Sequence, residues 1–269
     1  MVETLEPAAP PTTPTLGSPG LIRRFLGWCV HAYTASGLAV AAVILALLVE
    51  GGPDAYRWSF LLMLLATFID ATDGTLARAV RIKEAVPSFD GRRLDDITDF
   101  LTYTFLPLML IWRAGIMPAG YEAWLIAPLL ASAYGFCQVD VKTPDGYFLG
   151  FPSLWNIVAL YLYALPIPPQ AALWILLLLA FLTFVPVKHL YPSQPGRLNR
   201  FATLTGIVWG VLVGLLAWRL PSRADVLVSP QTAALAGVSL IYPAFYMGTS
   251  WYITLRSWLR PSPAASPQG

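Results

Sequence analysis

Long apolar runs constrain this chain more than any other feature of its sequence. Eight of them have about the length of a transmembrane helix, since about twenty apolar residues are needed to cross the hydrocarbon core of a bilayer. They cover residues 28–49, 57–78, 92–113, 121–139, 151–166, 170–188, 199–219 and 231–256. Charged residues make up 12% of the chain, whereas a soluble protein has about 25%. We therefore predict an all-α, polytopic integral membrane protein with about eight transmembrane helices.

The two ends of the chain differ from this apolar region. Residues 1–20 are rich in Pro, Thr and Ala and lack the apolar core of a signal peptide. We predict a disordered tail over 1–20, a transmembrane domain over 21–260 and a disordered tail over 261–269.

Cys29 and Cys137 both lie in apolar runs and form no disulfide framework. The formal net charge of +2 is too small to indicate a nucleic-acid partner.

The basic residues are distributed unequally between the two sides of such a membrane domain. With eight spans both termini share one side, and that side receives Arg23, Arg24, Arg78, Arg81, Lys83, Arg92, Arg93, Lys142, Lys188, Arg197, Arg200, Arg256 and Arg260. The other side receives Arg57, Arg113, Arg219 and Arg223. Cytoplasmic loops carry an excess of Lys and Arg. We therefore predict a cell (inner) membrane protein whose two termini are cytoplasmic.

Carboxylates lie at the ends of the second and third runs that share this cytoplasmic side. Asp70 and Asp73 are three residues apart, and Asp95 and Asp99 are four apart, so each pair lies on one helix face. An ionised Asp inside a spanning helix costs roughly 2.5–3.5 kcal/mol. Such a cluster is therefore tolerable near a watery helix end, with cations between the carboxylates. Carboxylate oxygens suit Mg²⁺ or Mn²⁺, so the pattern predicts a cytoplasm-facing site for divalent metal ions.

The four aspartates belong to a longer pattern of fixed residues. It reads Asp70-x-x-Asp73-Gly74-x-x-Ala77-Arg78, then twelve residues, then Gly91-x-x-x-Asp95-x-x-x-Asp99. This pattern resembles the signature of the CDP-alcohol phosphotransferase superfamily, in which the gap is most often eight residues. The alternative, helix-end carboxylates that face solvent and lipid headgroups, gives no reason for the two glycines and the arginine.

Three further stretches resemble one group within that superfamily, the bacterial phosphatidylcholine synthases. They are residues 31–37 (His-Ala-Tyr-Thr-Ala-Ser-Gly), 86–91 (Val-Pro-Ser-Phe-Asp-Gly) and 150–156 (Gly-Phe-Pro-Ser-Leu-Trp-Asn). The resemblance implies an enzyme of phospholipid biosynthesis, a CDP-diacylglycerol–choline O-phosphatidyltransferase. Its substrates would be CDP-diacylglycerol and choline, and its products would be phosphatidylcholine and CMP.

The resemblance also implies a role for each residue of the pattern. The ligands that it implies for two divalent cations, Mn²⁺ or Mg²⁺, are Asp70, Asp73, Asp95 and Asp99. The residues that it implies for binding CDP-diacylglycerol are Gly74, Ala77, Arg78 and Gly91. Asp99 would also be catalytic, because it would accept the proton of the attacking alcohol.

A choline pocket is predicted from aromatic residues at the cytoplasmic ends of spans three to five. Aromatic faces attract a quaternary ammonium group. The candidates are Tyr103, Tyr134, Tyr147 and Trp155. The alternative is an ordinary charged and aromatic loop. Two roles stay open for His31, which is either a packed residue of the helix or a residue with a chemical role. Arg197 and Arg200 either bind lipid phosphate or only contribute to the cytoplasmic excess of basic residues.

Other functions remain open from the sequence. A transferase that uses inositol, serine or glycerol phosphate would carry the same pattern, although a phosphorylated acceptor would need further basic residues in its pocket. A divalent-cation transporter would use the carboxylates as an ion pathway, but the far halves of the spans read almost purely Leu, Ala and Val. The sequence does not determine the oligomeric state, and a homodimer is one alternative.

The predicted orientation can be tested with single cysteines in a background that lacks Cys29 and Cys137. A membrane-impermeant thiol reagent applied to intact cells should label Arg223→Cys, on the outer side, and should not label Lys83→Cys, on the cytoplasmic side. The opposite labelling pattern would reverse the orientation.

Overall fold

The computed structural model describes residues 20–52, 54–139, 143, 146–190, 196–221 and 228–259. The chain is mostly helical over these residues, as predicted. The α-helices are α1 (Leu21–Glu50), α2 (Ala55–Ala79), α3 (Ile82–Ala85), α4 (Gly91–Asp99), α5 (Leu106–Arg113), α6 (Ile126–Cys137), α7 (Trp155–Ala164), α8 (Pro169–Leu182), α9 (Arg197–Arg219), α10 (Pro230–Ser239) and α11 (Ile241–Leu259). A 3₁₀ turn, Glu122–Leu125, precedes α6. Apart from Gly20, the two predicted tails lie outside the described residues.

Each of the eight predicted apolar runs contains helix. Three helices, α1, α2 and α9, are long and apolar enough to cross a membrane by length and composition, which is consistent with a membrane protein. Helix α7 has 10 residues and so extends over about 15 Å, half of the roughly 30 Å of a hydrocarbon core. The number of eight spans and their orientation therefore stay predictions.

The all-α prediction omitted a small antiparallel sheet. Strand β1 (Tyr147–Leu149) follows α6, strand β2 (Lys188–Leu190) follows α8, and Phe148 lies opposite His189. Each strand has three residues, too few for a pattern of alternating hydrophobicity to reveal it. The sheet ties together two segments that are far apart in the chain.

The end of the bundle where α2 finishes and α4 begins is called here the acidic end. The start of α1 lies at this end, because Arg23 donates to the carbonyl of Val80 and pairs with Glu84 at 2.6 Å. Helix α11 reaches it as well, since the hydroxyl of Tyr246 donates to the carbonyl of Leu190 in β2.

Two arginines connect helices at the opposite end. Arg113, at the end of α5, donates to the carbonyl of Leu48 in the last turn of α1 at 3.0 Å. Arg57, in the first turn of α2, donates to the carbonyl of Leu220 just after α9 at 2.9 Å. Both bonds satisfy carbonyl groups that the end of a helix leaves without an intrahelical partner. Successive long helices therefore alternate in direction.

Glycines let α1 approach α4 and the segment before it closely. A Cβ atom on Gly37 would lie 2.6 Å from Cγ2 of Thr98, and one on Gly27 would lie 2.7 Å from Cγ2 of Val86. Small residues at helix contacts are typical of membrane proteins, because they allow backbones to come together. Thr98 immediately precedes Asp99, so this contact sets the position of the acidic face of α4.

The contact at Gly37 leads to a stability prediction. We expect Gly37→Ala to destabilise the protein by about 1–3 kcal/mol, because the added methyl group overpacks the contact with Thr98. Gly210→Ala on α9 is the matched control, since nothing lies within 4 Å of its Cβ position and Ala favours a helix by about 0.5–1 kcal/mol. Thermal unfolding of the purified protein in detergent measures both, and equal changes would contradict the contact.

Candidate active site

Three of the four predicted carboxylates meet at the acidic end. Asp70 lies in the C-terminal half of α2, and Asp95 and Asp99 lie one turn apart in α4. One carboxylate oxygen from each of these residues lies within 4.8 Å of the other two. The helical spacing predicted which side chains share a face of each helix, and the packing of α2 near α4 brings the two faces together.

Asp73 has a separate anchor next to this cluster. Its side chain is 7% exposed, and its Oδ2 atom accepts a hydrogen bond of 2.8 Å from the hydroxyl of Thr34 in α1. Asp73 lines the same cavity as the three clustered carboxylates. The hydroxyl of Thr34 therefore fixes the direction of the fourth predicted ligand.

Asp70 is held by an aromatic side chain. The hydroxyl of Tyr103 donates a hydrogen bond of 2.7 Å to Oδ2 of Asp70. Tyr103 belongs to a π-helical turn, Phe100–Phe105, that joins α4 to α5 directly after Asp99. Turns of this kind are rare and frequent at functional sites. The structure therefore places Tyr103, a predicted choline-pocket residue, in contact with a predicted metal ligand.

The donor set of the cluster fits divalent metal ions. In the described part of the chain, no Lys, Arg or His nitrogen lies within 4.0 Å of the carboxylates of Asp70, Asp95 or Asp99, whereas Asp96 has Arg92 at 3.9 Å. Like charges at this separation repel each other unless cations lie between them. Carboxylate oxygens are the ligands that Mg²⁺ and Mn²⁺ prefer.

A cavity of about 590 Å³ opens beside the carboxylates and is called here the larger cavity. On the side of α2 and α4 it is lined by Asp70, Asp73, Gly74, Thr75, Arg78, Arg92, Asp95, Asp96 and Asp99. Asp96, which is not one of the fixed residues of the sequence pattern, is also part of this wall. The facing wall is formed by the end of α6, by Phe148, Leu149 and residues 151–153, and by Thr183 after α8.

A second cavity of about 350 Å³, called here the smaller cavity, lies on the α1 side of the same carboxylates. The residues that line both cavities are Asp73, Gly74, Arg92 and Asp95. The smaller cavity also contains Ala77 and Gly91 of the sequence pattern. A Cβ on Gly91 would lie 2.6 Å from Cε1 of His31, so a larger residue at this position would displace the imidazole ring.

His31 and Arg78 border these cavities in different ways. His31 is 5% exposed, packs on Phe89 with 4.4 Å between ring centroids, and lines the smaller cavity. Its Nε2 atom has no hydrogen-bond partner among the described residues. Arg78 is exposed, lines the larger cavity and donates to the hydroxyl of Thr75 at 3.0 Å. Arg197 and Arg200 are exposed at the start of α9.

Of the four aromatic residues predicted for choline, Tyr134 lines the larger cavity. Tyr147 lies on β1 with the ammonium of Lys188 at 5.4 Å from its ring centroid. Trp155 is 0% exposed, and its indole N–H donates to the hydroxyl of Ser132 at 2.6 Å. The structure therefore does not bring these four side chains together.

Three other aromatic residues line the larger cavity and were missed. They are Phe136, Phe148 and Phe151. Phe148 adjoins Tyr147 and Phe151 lies four residues before Trp155, but the sequence carried no signal for which of these residues faces the cavity. The pairing of β1 with β2 decides it for Phe148.

Comparison with known proteins identifies one family and several similar chains. A family model for CDP-alcohol phosphatidyltransferase matches residues 31–186. A phosphatidylcholine synthase of Pseudomonas aeruginosa is 36% identical over 238 residues, which cover 88% of this chain and 95% of that protein. One of Legionella pneumophila is 35% identical over 256 residues, with 93% and 94% covered. One of Borreliella burgdorferi is 37% identical over 180 residues, with 66% and 76% covered.

The hydrogen bond from Tyr103 predicts an effect on metal affinity. Removing a partner of a metal ligand typically weakens metal binding by roughly 10- to 100-fold, so we expect Tyr103→Phe to raise the dissociation constant for Mn²⁺ by about that factor. Electron paramagnetic resonance of Mn²⁺ added to the purified protein measures this constant without a substrate.

The matched control is Tyr246→Phe, which removes another hydroxyl that donates to the protein at the acidic end. We expect its dissociation constant for Mn²⁺ to equal that of the wild type. An unchanged constant for Tyr103→Phe would show that the bond to Asp70 does not orient a metal ligand.

Proposed function

The chain belongs to the CDP-alcohol phosphatidyltransferase family, and we propose that it is a phosphatidylcholine synthase that transfers the phosphatidyl group of CDP-diacylglycerol to choline. One observation carries the proposal. The three carboxylates that meet within 4.8 Å belong to a chain that is 36% identical to a phosphatidylcholine synthase over 95% of that protein. The names of several such relatives support choline as the acceptor.

The acidic cluster would hold two divalent cations, Mg²⁺ or Mn²⁺, with Asp70, Asp73, Asp95 and Asp99 as ligands. When bound, these ions neutralise charge on the phosphoryl oxygens and on the departing CMP. Thr34 and Tyr103 keep two of the carboxylates oriented before substrate arrives. This agrees with the role of outer hydrogen-bond partners at metal sites.

The nucleotide of CDP-diacylglycerol is assigned to the smaller cavity. Gly74, Ala77 and Gly91 line it, and their small side chains leave room for a nucleotide near the helix backbone. Arg78 is assigned to a phosphate group, because a guanidinium forms strong charge-assisted hydrogen bonds with phosphate. Since Asp73 and Asp95 border both cavities, the diphosphate would lie beside residues that the acceptor side also reaches.

The acceptor alcohol is assigned to the larger cavity. Asp99 lines this cavity and is absent from the described lining of the smaller one, which suits a base that meets the alcohol. Its carboxylate takes the hydroxyl proton as the alcohol oxygen forms a bond to phosphorus. The bond from that phosphorus to the oxygen of CMP breaks, and CMP leaves with the electron pair.

The proposal places eight spans in the cell (inner) membrane, with the acidic end at the cytoplasmic interface. The apolar helices α1, α2 and α9 support a membrane location, and the excess of Lys and Arg assigned to the acidic end supports the orientation. At that interface an alcohol from water and a lipid from the bilayer can both reach the aspartates.

A phosphorylated acceptor such as glycerol phosphate is disfavoured by the facing wall of the larger cavity. Its described lining residues, from the end of α6, residues 148–149 and 151–153 and Thr183, include no Lys, Arg or His. A phosphate group on the acceptor would need such a partner.

A function as a divalent-cation transporter would explain neither the glycine and arginine of the pattern nor the similarity to phosphatidylcholine synthases.

The metal site predicts a loss of activity in four variants. Asp70→Asn, Asp73→Asn, Asp95→Asn and Asp99→Asn should each nearly abolish CMP release, because one missing carboxylate leaves a site of high charge without a full set of ligands. EDTA should do the same to the wild type. Glu122→Gln, at the opposite end of the bundle, is the control. Two aspartate variants with near wild-type turnover would contradict the assignment.

The proposed use of choline as the acceptor can be tested by competition with other alcohols. With CDP-diacylglycerol and Mn²⁺, choline should be converted to phosphatidylcholine. Inositol, serine and glycerol 3-phosphate at equal concentration should neither react nor compete. Faster turnover of inositol than of choline would reject choline as the acceptor and leave the family assignment in place.

A further inference from the structure

We propose that Tyr134, Phe148 and Phe151 recognise the trimethylammonium group of the acceptor on the wall of the larger cavity that faces the aspartates. These residues line one cavity together with the acidic cluster. They differ from the predicted set, in which Tyr134 was joined by Tyr103, Tyr147 and Trp155. The inference rests on the proposed function for the identity of the acceptor.

Each of the three aromatic side chains comes from a different segment and has its own support. Tyr134 lies in the last turn of α6 and packs on Phe184, with 4.8 Å between ring centroids. Phe151 precedes α7 and packs edge-on against the buried Trp155 at 5.1 Å. Phe148 is the central residue of β1 and is fixed by the pairing of β1 with β2. The wall is therefore preformed.

The charge distribution around this wall favours a cation. The other side of the cavity is lined by five aspartates and by two arginines, Arg78 and Arg92. The formal charge of this side is therefore negative. The facing wall includes the C-terminal ends of α6 and α8, represented by Gln138 and Thr183. A helix C-terminus carries a partial negative charge of about half an electron, so both helices attract a positive group.

The chemistry of the wall matches an ammonium group that carries methyl groups. Such a group donates no strong hydrogen bond, so aromatic faces and a diffuse negative field must bind it. Choline also carries its hydroxyl close to its ammonium. Asp99 and the aromatic side chains line the same cavity, so the inference assigns the hydroxyl of the acceptor to the base and its methyl groups to the wall.

Neighbouring residues on β1 supply a sharp test. Phe148 and Leu149 line the cavity, whereas Tyr147 does not. Phe148→Leu keeps an apolar side chain and removes the aromatic face from the cavity. Tyr147→Leu makes the same kind of change at a residue that does not line the cavity and serves as the matched control.

The measurement compares choline with its neutral isostere, 3,3-dimethylbutan-1-ol, as acceptor for CDP-diacylglycerol. The wild type should prefer choline in kcat/KM, and Phe148→Leu and Tyr134→Leu should each reduce this preference by roughly 3- to 30-fold, the range of one cation–π contact. The KM for CDP-diacylglycerol should not change. Phe148→Trp should keep the preference, and Tyr147→Leu should match the wild type.

The outcomes separate the inference from the function on which it rests. If the wild type uses choline and both Phe148→Leu and Tyr134→Leu keep the full preference over the isostere, the inference is wrong and the proposed function stands. If the wild type does not use choline, the proposed function itself fails. Tyr134 is 45% exposed, so its replacement tests the wall even if Phe148→Leu does not fold.

Discussion

Repulsion between half-buried carboxylates is the constraint on which the rest of this structure depends. Asp70, Asp95 and Asp99 bring negative oxygens within 4.8 Å of one another, in a chain that is otherwise strongly apolar. The folded protein tolerates this arrangement because it lies at the open end of the helices and presents oxygen ligands to divalent cations. Hydrogen bonds from Thr34 and Tyr103 then orient carboxylates that would otherwise turn away from each other.

Close backbone contact at small residues makes this arrangement possible. The contact of Gly37 with Thr98 brings α1 against α4, and the contact of Gly91 with His31 brings the start of α4 against α1. Such contacts replace the hydrophobic effect, which does not drive helices together inside a bilayer. The glycines of the chain therefore contribute to the metal site even where they touch no ligand.

Two cavities with different chemistry share two of the carboxylates, Asp73 and Asp95. The smaller cavity is bounded by small residues and by His31, whereas the far wall of the larger cavity is aromatic and lies at two helix C-termini. Under the proposed function, a change of acceptor would require changes in the aromatic wall and none in the aspartates.

The sequence by itself determined the helical class and the two acidic faces. Both follow from local periodicity: apolar runs of spanning length, and aspartates three or four residues apart. The aromatic wall depended on the tertiary structure. Phe148 lines the cavity and its neighbour Tyr147 does not, and their backbone is held by the pairing of β1 with β2. Trp155 is buried in the core, where its indole N–H donates to Ser132, and it does not line the cavity. These contacts join segments far apart in the chain, so no local pattern encodes them.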